Sequence, residues 1–161
     1  MAKEMDSLTG LLKEDWLKQG LDDELNRAER FGRDLGLLLL EPDVPEELMR
    51  DLSYPVLKKL GNVSKEVTRQ VDVGVRVKNR LLWLLPETSE DGVKVATQKI
   101  SEKFSEQTFV DSATGESFQG SFRSAYFVFP SQTKDREDIL KRLIAQLESS
   151  ATPTAAAEDV G

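Results

Sequence analysis

The clearest pattern of hydrophobic and polar residues lies between residues 69 and 86. Four valines alternate with polar residues or glycine, a period of two that is typical of a β-strand with one buried face. They are Val71, Val73, Val75 and Val77. A polar interruption at residues 78–80 separates this strand from an apolar run at 81–85, which Pro86 closes. We therefore predict a β-hairpin with a three-residue tip at the centre of a sheet.

Helical spacing of apolar residues recurs in four other parts of the chain. The pattern predicts a first helix over 13–31, ended by Gly32, and a last helix over 134–149. Between them we expect a short helical piece at 46–52 and a second piece reaching residue 67, separated at Pro55 because the residue before proline disfavours the helical region. A third helix follows the hairpin, with Thr88 as its expected N-cap and Asp91 three residues later.

Three further segments have the composition of strands. Residues 35–41 form a continuous apolar run, which indicates a fully buried strand. Residues 107–111 and 116–119 are expected to pair across a turn, and 122–129 is a strong strand. The order of elements predicts an α+β fold, ferredoxin-like, with one mostly antiparallel sheet and helices packed on one face. We expect one domain over 1–150 and a disordered tail over 151–161, which has little to bury.

Composition excludes several classes of function. The chain of 161 residues has a net charge of −7, which argues against a general nucleic-acid or anionic-membrane surface. It contains no cysteine and no histidine, so a thiol nucleophile, a thiolate metal site and a Ser-His-Asp triad are excluded. No apolar run approaches the length of a membrane span, and no signal-peptide core precedes residue 10. We therefore expect a cytoplasmic protein with no membrane insertion and no nucleic-acid partner.

Taken in order, several motifs resemble the GGDEF family of diguanylate cyclase domains. That family opens with a D-x-L-T-G-L turn, which residues 6–11 match. It carries R-x-x-D followed by five residues and a signature loop at a hairpin tip, and Arg69 and Asp72 keep this spacing. The L-L-P at 84–86 matches the end of the family's hairpin. The resemblance extends to about residue 148 and implies a nucleotidyl-cyclase-like fold in a bacterial signalling protein.

The departures from the family concern catalysis. In the family, the Gly-Gly-Asp-Glu turn binds GTP and supplies a carboxylate to the magnesium ions. Here it is replaced by Lys78, Asn79 and Arg80, without a glycine or an acid. The two metal-binding aspartates appear as Glu41 and Asp43. Two-metal phosphoryl transfer needs carboxylates around the cations, and two lone acids are a poor substitute. The resemblance with these losses therefore predicts a non-catalytic domain with no metal and no cofactor.

The residues that match the guanine-reading positions of the family are also changed. Met49 and Tyr54 stand where the family has Asn and Asp. The acids at 41 and 43 have a plainer interpretation as a solvated strand end, and the polar tip is also what any hairpin needs. Likewise Arg69 and Asp72 can form a surface ion pair instead of a ligand site.

Two functions remain open. In the first, the domain binds cyclic di-GMP through Arg69 and Asp72, with Arg76 adding a cation on the same strand face; arginine supplies forked donors, and an ionised aspartate only accepts. In the second, the ancestral domain is a protein-interaction scaffold with no nucleotide ligand. Both predict a protein partner as the output of signalling, and a homodimer is left open.

Overall fold

The computed structural model describes residues 4–150. The second strand of the hairpin and the buried strand at Leu35–Pro42 lie at the centre of its sheet, whereas the first strand of the hairpin lies at an edge. The prediction that both hairpin strands are central is therefore wrong. Four strands form one sheet in the order β2-β3-β1-β6, and every neighbouring pair is antiparallel. Two short strands, β4 and β5, pair separately. The strands are β1 (Leu35–Pro42), β2 (Val73–Val77), β3 (Arg80–Pro86), β4 (Thr108–Val110), β5 (Ser117–Gln119) and β6 (Phe122–Phe129). The predicted ferredoxin-like α+β architecture is confirmed, while residues 151–161, the predicted tail, lie outside the described part of the chain.

Four α-helices cover the sheet on both faces. They are α1 (Leu17–Phe31), α2 (Met49–Val67), α3 (Glu90–Ser105) and α4 (Arg136–Ser149). Leucines of α1 and α4 share one buried cluster with Leu37 and Leu39 of β1, whereas α2 and α3 pack against Leu38 and Leu40. The prediction that the helices pack on one face is therefore wrong. Because β1 and β3 are apolar on both sides, each face needs a cover, and α1 and α4 supply the second one.

The helix α2 runs without interruption through Pro55, so the predicted break into two pieces is wrong. Its apolar residues recur every three to four positions across the proline, at Leu48, Leu52, Val56 and Leu60. A proline inside a helix costs about 3 kcal/mol because it removes one backbone hydrogen bond. Burial of this continuous stripe outweighs that cost.

No helix in residues 4–150 has the length and hydropathy required to cross a membrane.

The hairpin tip is shorter than predicted. Val77 pairs with Arg80, so Arg80 is the first residue of β3 and only Lys78 and Asn79 form the turn. Lys78 has φ +60°, which fits a type II′ turn, whose first central residue has a positive φ. A two-residue turn that is closed by strand pairing on both sides leaves no loop that could cradle a phosphate.

Candidate functional site

The D-x-L-T-G-L match folds as a tight turn, and the same turn occurs twice in the chain. The Asp6 carboxylate accepts from the backbone N–H of Thr9 at 2.9 Å and from its hydroxyl at 2.7 Å. Asp111 accepts from the same two groups of Thr114, at 3.3 and 2.7 Å. Both turns have the sequence D-S-x-T-G and end in a glycine with a positive φ. The motif is therefore a self-contained hairpin turn, whatever else it does.

Only the first of these turns is tied to the central hairpin by a described ion pair. Arg76 donates from Nη1 to Asp6 Oδ1 at 3.0 Å and from Nε to the carbonyl oxygen of Lys78 at 2.7 Å. Leu12 adds backbone hydrogen bonds to Gly74 and Arg76. Burial acts to raise the pKa of Asp6, but hydrogen bonds from Thr9 and Arg76 outweigh it and hold the pKa below its usual value. Arg76 thus joins the N-terminal turn to the hairpin tip.

Replacing Asp6 by asparagine is expected to lower the free energy of unfolding at pH 7 by about 1–2 kcal/mol, because a charged acceptor of three hydrogen bonds is lost. The carboxylate stabilises the fold above its unfolded-state pKa of 3.8, and that contribution is lost as the pH falls through the lower folded-state pKa. Urea denaturation at several pH values should therefore show the difference from wild type shrinking below pH 3.8.

The matched control for this substitution is Asp111→Asn, which changes the same turn without an arginine partner among the described ion pairs. We expect it to cost about half as much. Equal losses for the two variants would show that the ion pair with Arg76 contributes nothing.

A second cluster lies where β1, β3 and β6 meet. The Glu41 carboxylate is only 10% exposed and accepts from two arginines. Arg80 Nε lies 2.8 Å from its Oε1, and Arg123 Nη2 contacts its Oε2. Glu41 and Arg123 are direct cross-strand partners in the β1–β6 register. Arg80, which the sequence analysis assigned to the hairpin tip, thus points its guanidinium at one of the two residual acids.

The other residual acid, Asp43, is held on the same side of the sheet. Its carboxylate accepts from the Ser121 hydroxyl at 3.1 Å and lies 4.0 Å from Arg123 Nε. Burial raises the pKa of Asp43, and the hydrogen bond from Ser121 offsets part of that rise. In residues 4–150 no group of three or more acidic, histidine or cysteine side chains is arranged to hold a metal ion. The magnesium ions that the resemblance implies do not fit these residues, because guanidinium groups already neutralise Glu41.

The R-x-x-D residues form a rigid pair at the start of β2. The Asp72 side chain is 4% exposed, and its two carboxylate oxygens accept from the backbone N–H of Arg69 at 2.7 Å and from its Nη2 at 2.9 Å. The same Nη2 donates to Thr88 Oγ1 and to the carbonyl oxygen of Pro86. Asp72 is therefore saturated and orients Arg69. The Nη1 group of Arg69 makes no hydrogen bond within residues 4–150, and the side chain is 52% exposed.

Arg69 stands between two surface clefts. One, of about 300 Å³, lies between the end of α2, the end of β3 and the first half of α3, and its lining includes Asp72, Thr88 and Lys99. The other, of about 790 Å³, lies beside the end of α1 and is lined by Arg27, Arg33, Phe31 and Val71. Arg69 and Glu87 line both clefts. Arg69, whose side chain is half exposed and whose Nη1 makes no hydrogen bond within residues 4–150, is thus accompanied by three further cations on a chain that is acidic overall.

The structure does not bring Arg76 to this surface. Arg76 lies four positions after Asp72 along extended backbone, a distance of about 13 Å. The Arg76 guanidinium instead lies 5.7 Å from the centre of the Tyr54 ring and pairs with Asp6.

Thr88, predicted as the N-cap of α3, does not hold that position. Ser89 is the N-cap, and the Thr88 hydroxyl oxygen accepts a hydrogen bond from Arg69.

Several residues of these clusters carried no signal in the sequence. Arg123, Lys99, Arg27 and Arg33 lie far along the chain from the R-x-x-D motif or the acids they accompany. Arg123 follows from the strand register alone, since pairing of β1 with β6 sets it opposite Glu41. The others come together because the end of α1 and the first half of α3 lie beside the residues that flank the open end of the hairpin.

Comparison with known proteins gives structural matches. No protein-family model matches the sequence, and no curated protein matches it either. The GGDEF domain of DgcB from Caulobacter crescentus, solved in complex with cyclic di-GMP, has a TM-score of 0.79 at 18% identity and covers 93% of this chain and 90% of that one. The FimX GGDEF domain from Pseudomonas aeruginosa has a TM-score of 0.79 at 16% identity, covering 93% and 94%. The chain has the GGDEF fold.

Other structures with the GGDEF fold include a complex with a second protein. The diguanylate cyclase SiaD from Pseudomonas aeruginosa, solved with its activator SiaC, has a TM-score of 0.78 at 19% identity. The match covers 90% of this chain and 56% of that one. Identities below 20% show the fold and leave the function of this chain to its own residues. Met49 and Tyr54, which the sequence resemblance aligns with guanine-reading positions, are 48% and 63% exposed.

Proposed function

We propose that this chain is a non-catalytic signalling module of the bacterial cytoplasm that binds cyclic di-GMP on the surface around Arg69. The proposal rests on how the guanidinium nitrogens of this arginine are hydrogen-bonded. Its Nη2 is anchored by Asp72, Pro86 and Thr88, while Nη1 makes no hydrogen bond within residues 4–150 and the half-exposed side chain borders two clefts. An arginine fixed in this way loses little conformational entropy when it binds a phosphate, which favours affinity.

The absence of cyclase activity is the first part of the proposal. It is supported by the two guanidinium groups on Glu41, by the closed two-residue turn at Lys78 and by the side chains at the guanine-reading positions, which are no longer Asn and Asp. A metal-assisted phosphoryl transfer needs acids that are free to take cations. Incubation of the protein with GTP and magnesium should yield no cyclic di-GMP, and turnover that Glu41→Ala abolishes would refute this part.

The ligand is the second part. Cyclic di-GMP carries two phosphates and two purines, so a matching surface needs cations together with an apolar or aromatic face. Lys99 and Arg69 supply cations in the smaller cleft, and Arg27 and Arg33 supply them in the larger one. Phe31 is 59% exposed beside Val71 and offers its ring for stacking. In this proposal Asp72 orients Arg69 and does not read guanine, and Arg76 is not a ligand.

Calorimetric titration of cyclic di-GMP into wild type and Arg69→Ala tests the proposal. Loss of a charge-assisted hydrogen bond is expected to weaken binding about ten- to a hundredfold. Arg69→Lys keeps the charge but not the fork and should fall between the two. The matched control is Arg142→Ala, which removes an exposed arginine of α4. Among the described residues, Arg142 pairs with its helix neighbour Asp138 and makes a long hydrogen bond to Gln132. No heat from wild type at high micromolar ligand, or equal binding by Arg69→Ala, would refute the site.

Protein docking is the second candidate function. It is favoured by the exposed apolar side chains of Met49 and Tyr54 at the start of α2, close to the hairpin tip through Arg76. A scaffold of this kind needs no nucleotide. Failure of the titration together with loss of partner capture in Tyr54→Ser, and not in Val110→Ser, another exposed apolar position, would support this function instead.

A further inference from the structure

Each of three arginines around the larger cleft faces a carboxylate of the same chain. Arg27 pairs with Glu24 at 3.2 Å one turn away on α1, and Arg69 pairs with Asp72 at 2.9 Å. Both of these pairs are local, between residues three apart. Arg33 pairs at 2.9 Å with Glu87, which lies 54 positions further along the chain and at the end of the hairpin. Glu87 is therefore brought to the cleft by the tertiary structure.

The backbone at Glu87 is in an unusual conformation. Its φ is +53°, in the left-handed region, where glycine is favoured over residues that carry a Cβ. Its N–H donates to the carbonyl oxygen of Asp34 at 2.7 Å, which fixes this corner against the start of β1. The side chain is 61% exposed, so burial does not account for a glutamate here. A residue held in a disfavoured conformation at the rim of a cleft points to a functional constraint.

The position of Glu87 is also distinctive among the acids. It lines both clefts, together with Arg69, whereas Asp72 lines only the smaller and Glu24 only the larger. Glu87 thus borders both the cleft with Lys99 and the cleft with Arg27 and Arg33. We expect a ligand whose phosphates occupy both clefts to lie close to this negative charge.

We infer that the Glu87 carboxylate is an internal competitor for the anion-binding position of Arg33 and sets the affinity of the Arg69 surface for a purine nucleotide with two phosphates. The inference rests on the proposed function, and it adds a residue that tunes binding. The Arg33–Glu87 pair is more than half exposed at both ends, and exposed pairs of this kind are weak, so an incoming phosphate displaces the carboxylate. The displaced charge stays close to the ligand and opposes it.

The test compares Glu87→Gln with Glu90→Gln by calorimetric titration of cyclic di-GMP at low ionic strength. Both substitutions remove one negative charge within three residues of each other, but Glu90 pairs with Lys94 and does not line either cleft. Glu87→Gln is expected to bind roughly three- to tenfold more tightly than wild type, and Glu90→Gln to stay within about twofold of it. The gain should decrease at high salt, because screening weakens the repulsion that was removed.

A second variant, Glu87→Gly, removes the same carboxylate and suits the positive φ, so it should fold at least as stably as wild type and bind as tightly as Glu87→Gln. Tighter binding by both variants than by wild type supports the inference. If wild type binds and Arg69→Ala does not, but Glu87→Gln equals wild type or Glu90→Gln, the inference alone is refuted. If wild type and both Glu87 variants give no heat, the proposed function and this inference fail together.

Discussion

Arg123→Met is expected to lower the free energy of unfolding by about 2–3 kcal/mol, a large effect for one residue on an edge strand. Glu41 is 10% exposed and shares its two oxygens between Arg80 and Arg123. Removal of Arg123 leaves the nearly buried Glu41 carboxylate with one of its two guanidinium partners. The loss is smaller than for a fully buried pair, because Arg80 remains 2.8 Å from Oε1.

Guanidinium denaturation of three variants checks this expectation. The double variant that combines Arg123→Met with Glu41→Gln should recover about 1 kcal/mol relative to Arg123→Met alone, since it replaces the incompletely compensated carboxylate by a neutral amide. Arg142→Met, which breaks an exposed pair with Asp138 on α4, should cost less than about 0.5 kcal/mol. If Arg123→Met unfolds at the same denaturant concentration as Arg142→Met, Glu41 does not depend on Arg123, and the argument against a metal at this position loses its main support.

Gly74→Val is expected to destabilise the fold by about 3 kcal/mol, although valine favours strands and glycine disfavours them. Gly74 lies directly opposite Trp83 in the β2–β3 register. A Cβ at this position would lie 2.8 Å from two atoms of the Trp83 ring and 3.0 Å from Leu11. The indole is 3% exposed and lies in the core shared with α2 and α3, so it has little room to move.

A double-mutant cycle separates this contact from strand propensity. Trp83→Leu alone should cost about 2–3 kcal/mol through the lost burial. Combined with Gly74→Val, it should cost clearly less than the sum of the two single changes, because the smaller side chain makes room for valine. Thermal and urea unfolding of the four proteins measure the coupling. A stabilising Gly74→Val, or strictly additive losses, would show that the tryptophan does not occupy the space above Gly74.

The same pair shows how the central hairpin could be predicted in part. The alternating valines and the polar tip predicted both strands, and the structure has them at Val73–Val77 and Arg80–Pro86. Trp83, which lies within the predicted apolar run at 81–85, belongs to the core. The length of the tip did not follow, because the pairing of Val77 with Arg80 depends on the register of the whole hairpin.

Local signals determined most of the secondary structure by themselves. Periodicity predicts the strand at Phe122–Phe129, and a helix-terminating glycine predicts the end of the helix before Gly32. Turn chemistry predicts the paired strands around residues 112–115. These effects act between residues a few positions apart, so the sequence contains them directly. The break expected at Pro55 does not occur, because burial against distant strands outweighs the local preference of proline.

The tertiary structure decided what the polar residues do. Glu41 was recognised in the sequence as a residual acid, but its partners Arg80 and Arg123 lie 39 and 82 positions away. Arg69 and Asp72 were recognised as a pair, but only the packing of Thr88 and Pro86 beside them shows which donors are used and which are free. Charges and hydrogen bonds act through space over a few ångströms, and the sheet register sets which charges meet. The sequence therefore determined the strands, the helices and the likeness to a GGDEF domain, and the three-dimensional pairing determined which of its polar groups are saturated and which remain available to a ligand.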